Sequence, residues 1–173
     1  VRNADHEGGV TRMKEAFVAK LKAKQSSFID PDRGPLFSVR FLLVIALLVV
    51  GIAWIAYYYI AVRVDPTVFP APEPGSPAFM ADLEKWNYAI GFGMIFLGLL
   101  ISAHPSTPLG RGRGVVVGML GCFLLGLLWI CTFYVISGDN LHKVPIFNDL
   151  DQWNLVVGIG FMAVGFSFAT RWE

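Results

Sequence analysis

Asp82-Leu83-Glu84-Lys85-Trp86-Asn87-Tyr88-Ala89-Ile90-Gly91-Phe92-Gly93 returns later in the chain as Asp149-Leu150-Asp151-Gln152-Trp153-Asn154-Leu155-Val156-Val157-Gly158-Ile159-Gly160. Gly98 and Gly165 extend the match, so the pattern D-L-[DE]-x-W-N-x3-G-x-G-x4-G occurs twice without a gap. Upstream, Gly51-Ile52-Ala53-Trp54 pairs with Gly126-Leu127-Leu128-Trp129, and Tyr58-Tyr59 with Phe133-Tyr134. Self-similarity on this scale marks one supersecondary unit used twice.

Each copy holds two uncharged stretches. Phe41 to Val62, Trp86 to Gly110, Gly114 to Gly138 and Gln152 to Thr170 contain no Asp, Glu, Lys or Arg. His104-Pro105-Ser106-Thr107-Pro108 trims the second to Trp86–Ala103. A spanning helix takes about 20 mainly apolar residues, and only a structure that satisfies its own backbone can cross lipid. The whole composition agrees. Of 173 residues 55% are hydrophobic and 16% charged, against about 25% charged in soluble domains. The mean hydropathy is +0.57.

Orientation follows from Lys and Arg. Arg2, Arg12, Lys14, Lys20, Lys22, Lys24, Arg33 and Arg40 precede the first stretch, Arg111 and Arg113 lie in the middle turn, and Arg171 near the C-terminus. The other side has Arg63, Lys85 and Lys143, set against Asp65, Glu73, Asp82, Glu84, Asp139, Asp149 and Asp151, a net charge of −4. Positive charge stays inside, so both termini and the middle turn are expected in the cytoplasm. A two-helix unit returns the chain to its starting side, so the copies are parallel repeats about an axis along the membrane normal. The expected fold is therefore an all-α membrane protein with four transmembrane helices from two parallel helix-loop-helix repeats. Residues 1–36 form a basic cytoplasmic segment, 37–104 the first repeat, 105–113 a cytoplasmic turn and 114–173 the second repeat. The first outer loop carries a Pro-rich insertion (Pro66, Pro70, Pro72, Pro74, Pro77) expected to be extended and stiff. The hydrophilic start argues for no cleavable signal peptide, the first span serving as insertion signal.

Candidate packing and partner-interface residues are the repeated ones: Gly51, Trp54, Trp86, Asn87, Gly91, Gly93 and Gly98, then Gly126, Trp129, Trp153, Asn154, Gly158, Gly160 and Gly165. Small residues let membrane helices approach closely. Gly91 and Gly98 share a helical face, as do Gly158 and Gly165. These faces serve packing within the bundle or a groove for a partner helix. Gly114, Gly118 and Gly121 form a further small stripe. Trp86 and Trp153 suit interfacial anchoring; alternatively each Trp-Asn caps its helix, the Asn side chain accepting from backbone N–H groups. Trp54 and Trp129 lie deeper, in the outer half of their helices, and read either as lipid-facing or packed aromatics or, from their repetition with a Gly three residues earlier, as a fixed contact between the copies.

In the N-terminal segment, Val10, Met13, Phe17 and Leu21 recur at helical spacing among Arg12, Lys14, Lys20, Lys22 and Lys24. This pattern reads either as a basic amphipathic helix on anionic lipid or as a tail whose lysines only set topology. Its membrane-surface candidates are Arg12, Lys14, Phe17, Lys20, Leu21, Lys22 and Lys24.

No catalytic residues, cofactor or metal site are expected. No charged residue lies within a spanning core, which weighs against a pump or coupled transporter. No nucleophile-base pair, phosphate loop or metal spacing is present. A net charge of +1 gives no indication of nucleic-acid binding. Cys122 and Cys131, nine apart on one helix, point to opposite sides about 13 Å apart and cannot bond.

The repeated unit resembles the CrgA family of small actinobacterial cell-division membrane proteins. The resemblance rests on Gly126-x-x-Trp129, Trp153-Asn154, small residues along the last helix, and the ending Arg171-Trp172-Glu173. The first copy fits from Phe37 to Leu100 but has Ala103-His104-Pro105 where the ending would stand. Family members are usually one two-helix unit; this chain has two. The resemblance implies a non-enzymatic scaffold or regulator of septum formation in the bacterial plasma membrane, multi-pass and at the division septum. Implied partners are membrane lipids and divisome proteins, including penicillin-binding proteins (septal peptidoglycan synthases) and the tubulin-like ring protein. Self-association to a homo-oligomer stays open. Without the resemblance, the residues fit equally an accessory subunit of a large membrane complex, such as a respiratory oxidase or supercomplex.

Overall fold

The computed structural model describes residues 14–18, 38–65, 68–70, 72–137 and 140–170. The chain divides into two units, residues 1–34 and 35–173. In the first, residues 14–18 form a helical turn with Phe17 exposed. Arg12, Lys20, Leu21, Lys22 and Lys24 lie outside the described residues.

The second unit is helical, with no strand among the described residues. Helix α1 (Val39–Tyr57) continues as a π turn, Tyr58–Val62. A short α2 (Ala78–Leu83) precedes α3 (Trp86–Ser102). Helix α4 (Arg113–Ile136) is followed by a short α5 (Phe147–Leu150) and by α6 (Trp153–Ala169). Ser38 starts α1 by accepting the Phe41 N–H at 3.1 Å, the usual service of an N-cap hydroxyl. Arg63 ends the π turn with an extended ψ of 133°. The Pro-rich insertion is irregular over 72–77, as its prolines require, but it leads into α2, which alternation and spacing did not announce.

Two helices, Val39–Val62 and Arg113–Ile136, are long and apolar enough to cross a membrane, at 24 residues each. Trp86–Ser102 and Trp153–Ala169 are shorter, apolar and without Asp, Glu, Lys or Arg. Only 17% and 22% of the most apolar windows of the long helices are buried. Leu42, Val49, Ile52, Leu124 and Leu127 point outward. A helix of a water-soluble core would bury such side chains; here lipid is the matching solvent.

Helix α1 packs antiparallel against α3, and α4 against α6, by the same contacts. A Cβ on Gly51 would stand 2.8 Å from the Gly91 carbonyl oxygen, and one on Gly126 2.5 Å from that of Gly158. Gly98 seats on Val44 and Leu47, and Gly165 on Met119 and Phe123. The two hairpins meet through α3 and α6. Phe96 lies edge-on to Phe161 with centroids 5.0 Å apart, and its ring fills the space at Gly160. Towards the Arg40 end, the fully buried Phe168 packs on Gly118 and belongs to one apolar cluster with Ala103 and Val115. The turn there is closed by Thr107, whose hydroxyl reaches the His104 carbonyl at 2.9 Å and accepts the Gly110 N–H at 3.2 Å.

Candidate functional site

The repeated motif builds one device twice. Asn87 donates from Nδ2 to the carbonyls of Met80 (2.6 Å) and Glu84 (2.9 Å). Asn154 donates to those of Phe147 and Asp151, both at 2.9 Å. Both asparagines are fully buried. The N-caps are Lys85 and Gln152, so the expected cap role is corrected. Each Asn is the second residue of its helix, two past the cap, and gives hydrogen bonds to the short helix and turn before it rather than accepting from orphan N–H groups. The reason is the tight turn between the helices. Glu84 and Asp151 adopt φ of 43° and 48°, which aims the carbonyls of the preceding segment at the buried amide. Trp86 and Trp153 therefore project outward, 71% and 65% exposed.

Trp129 stacks on Phe147 (4.5 Å, 23°) and meets Phe92 of the first hairpin edge-on at 5.6 Å. Trp54 has a looser neighbour in Phe79 at 6.2 Å. Gly93 and Gly121 have nothing within 4 Å of a built Cβ, so the glycines of α3 and α4 do not share one contact surface. Cys122 is buried and Cys131 exposed, both as free thiols. His104 meets Arg40, its Nε2 lying 2.8 Å from the guanidinium.

Three residues outside the candidate set complete the Trp-Asn end. Arg63 pairs through Nε with Asp149, and the Tyr88 hydroxyl donates to the same carboxylate oxygen at 2.6 Å. Tyr88 also meets Tyr58 edge-on at 5.3 Å. The signal for them was present: Asp149 lies in the repeated motif, and Arg63 is one of three cations in acidic loops. As charges, Arg63 and Asp149 speak to topology alone, and nothing in the order of the chain pairs them across units. Between the ends of α3 and α6 lies a groove of about 400 Å³ with largely apolar walls and Lys85 and Asp149 at its mouth. Among the described residues no cluster of His, Cys, Asp or Glu could hold a metal ion.

The fold and this doubled end define an all-helical membrane protein made of a tandem helix-loop-helix unit. The family model for "Cell division protein CrgA" matches it twice, over residues 11–104 and 108–173. The chain belongs to that family, and its role lies in cell division. It is 48% identical over 68 residues to cell division protein CrgA of Streptomyces avermitilis, covering 39% of this chain and 75% of the relative. Against that of Mycobacterium sp. (strain KMS) it is 35% identical over 92 residues, 49% of this chain and 93% of the relative. Against that of Corynebacterium glutamicum (strain R) it is 40% identical over 57 residues, 33% of this chain and half of the relative. No solved structure matches the chain.

Proposed function

We propose that this protein is a non-enzymatic membrane scaffold of septum formation, its two repeats offering partner surfaces in tandem. In this reading all four helices span the plasma membrane and both termini lie in the cytoplasm. The chain sits at the division septum and binds divisome proteins, among them penicillin-binding proteins and the tubulin-like ring protein. The observation that carries the reading is the double match to one cell-division family model. The hydrogen bonds of Asn87, Tyr88 and Asn154 add support, since these repeated or adjoining polar side chains hold helices together. Lys and Arg crowd the sides assigned to the cytoplasm, as the positive-inside rule asks.

A fluorescent fusion at the cytoplasmic N-terminus tests it in dividing cells of the native host. A midcell band that appears with the septum is expected. An even membrane signal through the cycle would overturn the septal role and point to a bulk membrane complex.

A further inference from the structure

Equivalent positions in the two repeats are not filled alike where α3 meets α6. At Gly160 the Phe96 ring stands 2.6 Å from a built Cβ. A two-fold relation that sets Phe96 opposite Gly160 sets Ala163 opposite Gly93. A methyl group replaces a ring there, and Gly93 is left open. Gly93 lines a groove of about 400 Å³ between the two helices, whose α3 wall runs from Lys85 to Phe96.

We propose that this groove holds one acyl chain of an anionic phospholipid whose phosphate rests on Lys85. Length favours it. Lys85 to Phe96 covers about 16 Å of helix at 1.5 Å per residue, close to half of a hydrocarbon core about 30 Å thick. Width favours it too. A groove of about 400 Å³ spread along that length suits one alkyl chain better than a partner's helix about 10–12 Å across. Charge selects the headgroup. Lys85 is exposed at the mouth and makes no ion pair among the described residues, while Asp149 beside it is engaged by Arg63 and Tyr88. Trp86 and Trp153 flank the same end, at the level where indoles meet headgroups. The proposal takes the four helices as spans.

The test uses the full chain in nanodiscs of mixed phosphatidylglycerol and phosphatidylcholine, with bound lipid read by native mass spectrometry. Recovery of the chain in discs reports the spanning arrangement separately. One retained phosphatidylglycerol per chain is expected. Gly93→Leu has room for its side chain and should cut retention of both lipids several-fold, with an unchanged thermal melt by circular dichroism. Lys85→Gln, at an exposed position that folding does not need, should keep a lipid but lower the preference for phosphatidylglycerol about five-fold, the weight of one lysine near a headgroup surface. Equal preference for the two lipids in the wild type and Lys85→Gln overturns the proposal. So does lipid retention unaffected by a folded Gly93→Leu, including the case where that variant instead loses a cross-linked membrane partner.

Discussion

Arg63 and Asp149 belong to different repeats, yet their side chains form an ion pair at the Trp-Asn end of the bundle. The side chains are 8% and 14% exposed, and Tyr88 donates to the same carboxylate. The guanidinium also lies 4.9 Å above the Tyr59 ring. Burial works against the Arg63 charge, but the Asp149 carboxylate more than compensates, and the guanidinium is held above its ordinary value. Arg63 therefore stays charged at any physiological pH, and the pair is a fixed clamp. Truncating Arg63 and Asp149 singly and together should give a coupling of about 2 kcal/mol, as for hydrogen bonds to charged groups. The measurement is a double-mutant cycle by detergent unfolding. Additive losses would show that the pair does not join the repeats.

The glycines should separate sharply by position. Gly126→Ala drives a methyl against the Gly158 carbonyl and Gly51→Ala against that of Gly91. Each should cost about 1–3 kcal/mol, the usual penalty of overpacking. Gly93→Ala enters open space and should stay within about 0.5 kcal/mol of wild type. Thermal melts of the three variants in one detergent check the order; an equal loss at Gly93 would contradict the open groove.

Asn154 acts as a donor, so charge matters more than size. Asn154→Asp places a carboxylate against the carbonyls of Phe147 and Asp151, which now receive two N–H bonds. It should destabilise more than Asn154→Ala, whose cost is about 1–3 kcal/mol for carbonyls left unpaired. Asn87 should follow the same order. If Asp is tolerated better than Ala at both sites, the amide serves as an acceptor and the helix-linking role fails.

Trp129 and Trp54 occupy matching positions with unequal neighbours. Trp129 contacts Phe147 and, across the repeats, Phe92; Trp54 has only Phe79 as a ring partner among the described residues. Both alanine variants should weaken the bundle. Trp129→Ala should approach the cost of about 3 kcal/mol seen for core aromatic truncation, and Trp54→Ala should cost less. Equal melting shifts would mean that ring contacts between repeats add nothing.

Much of this was legible in residues of one kind. The uncharged stretches placed the helices to within a few residues: Trp86–Ala103 against Trp86–Ser102, and Gly114–Gly138 against Arg113–Ile136. The role of Asn87 was not legible, because Asn at a helix start serves equally as acceptor or donor. Only the turn at Glu84 decides which partner comes within reach. Helices α2 and α5 are too short to leave a periodic signal.

The sequence by itself determined the duplication, the four apolar helices and the expected sidedness, because length, charge and repetition are properties of the chain read in order. The tertiary structure decided which glycines are close contacts and that Gly93 and Gly121 face open space. It decided that Arg63 meets Asp149 and that Phe96 fills one of two equivalent spaces. These outcomes depend on how two similar hairpins pack, and two copies that diverged at single positions, such as Phe96 and Ala163, cannot pack symmetrically. That asymmetry is spread across residues distant in the chain, and only their meeting in space reveals it.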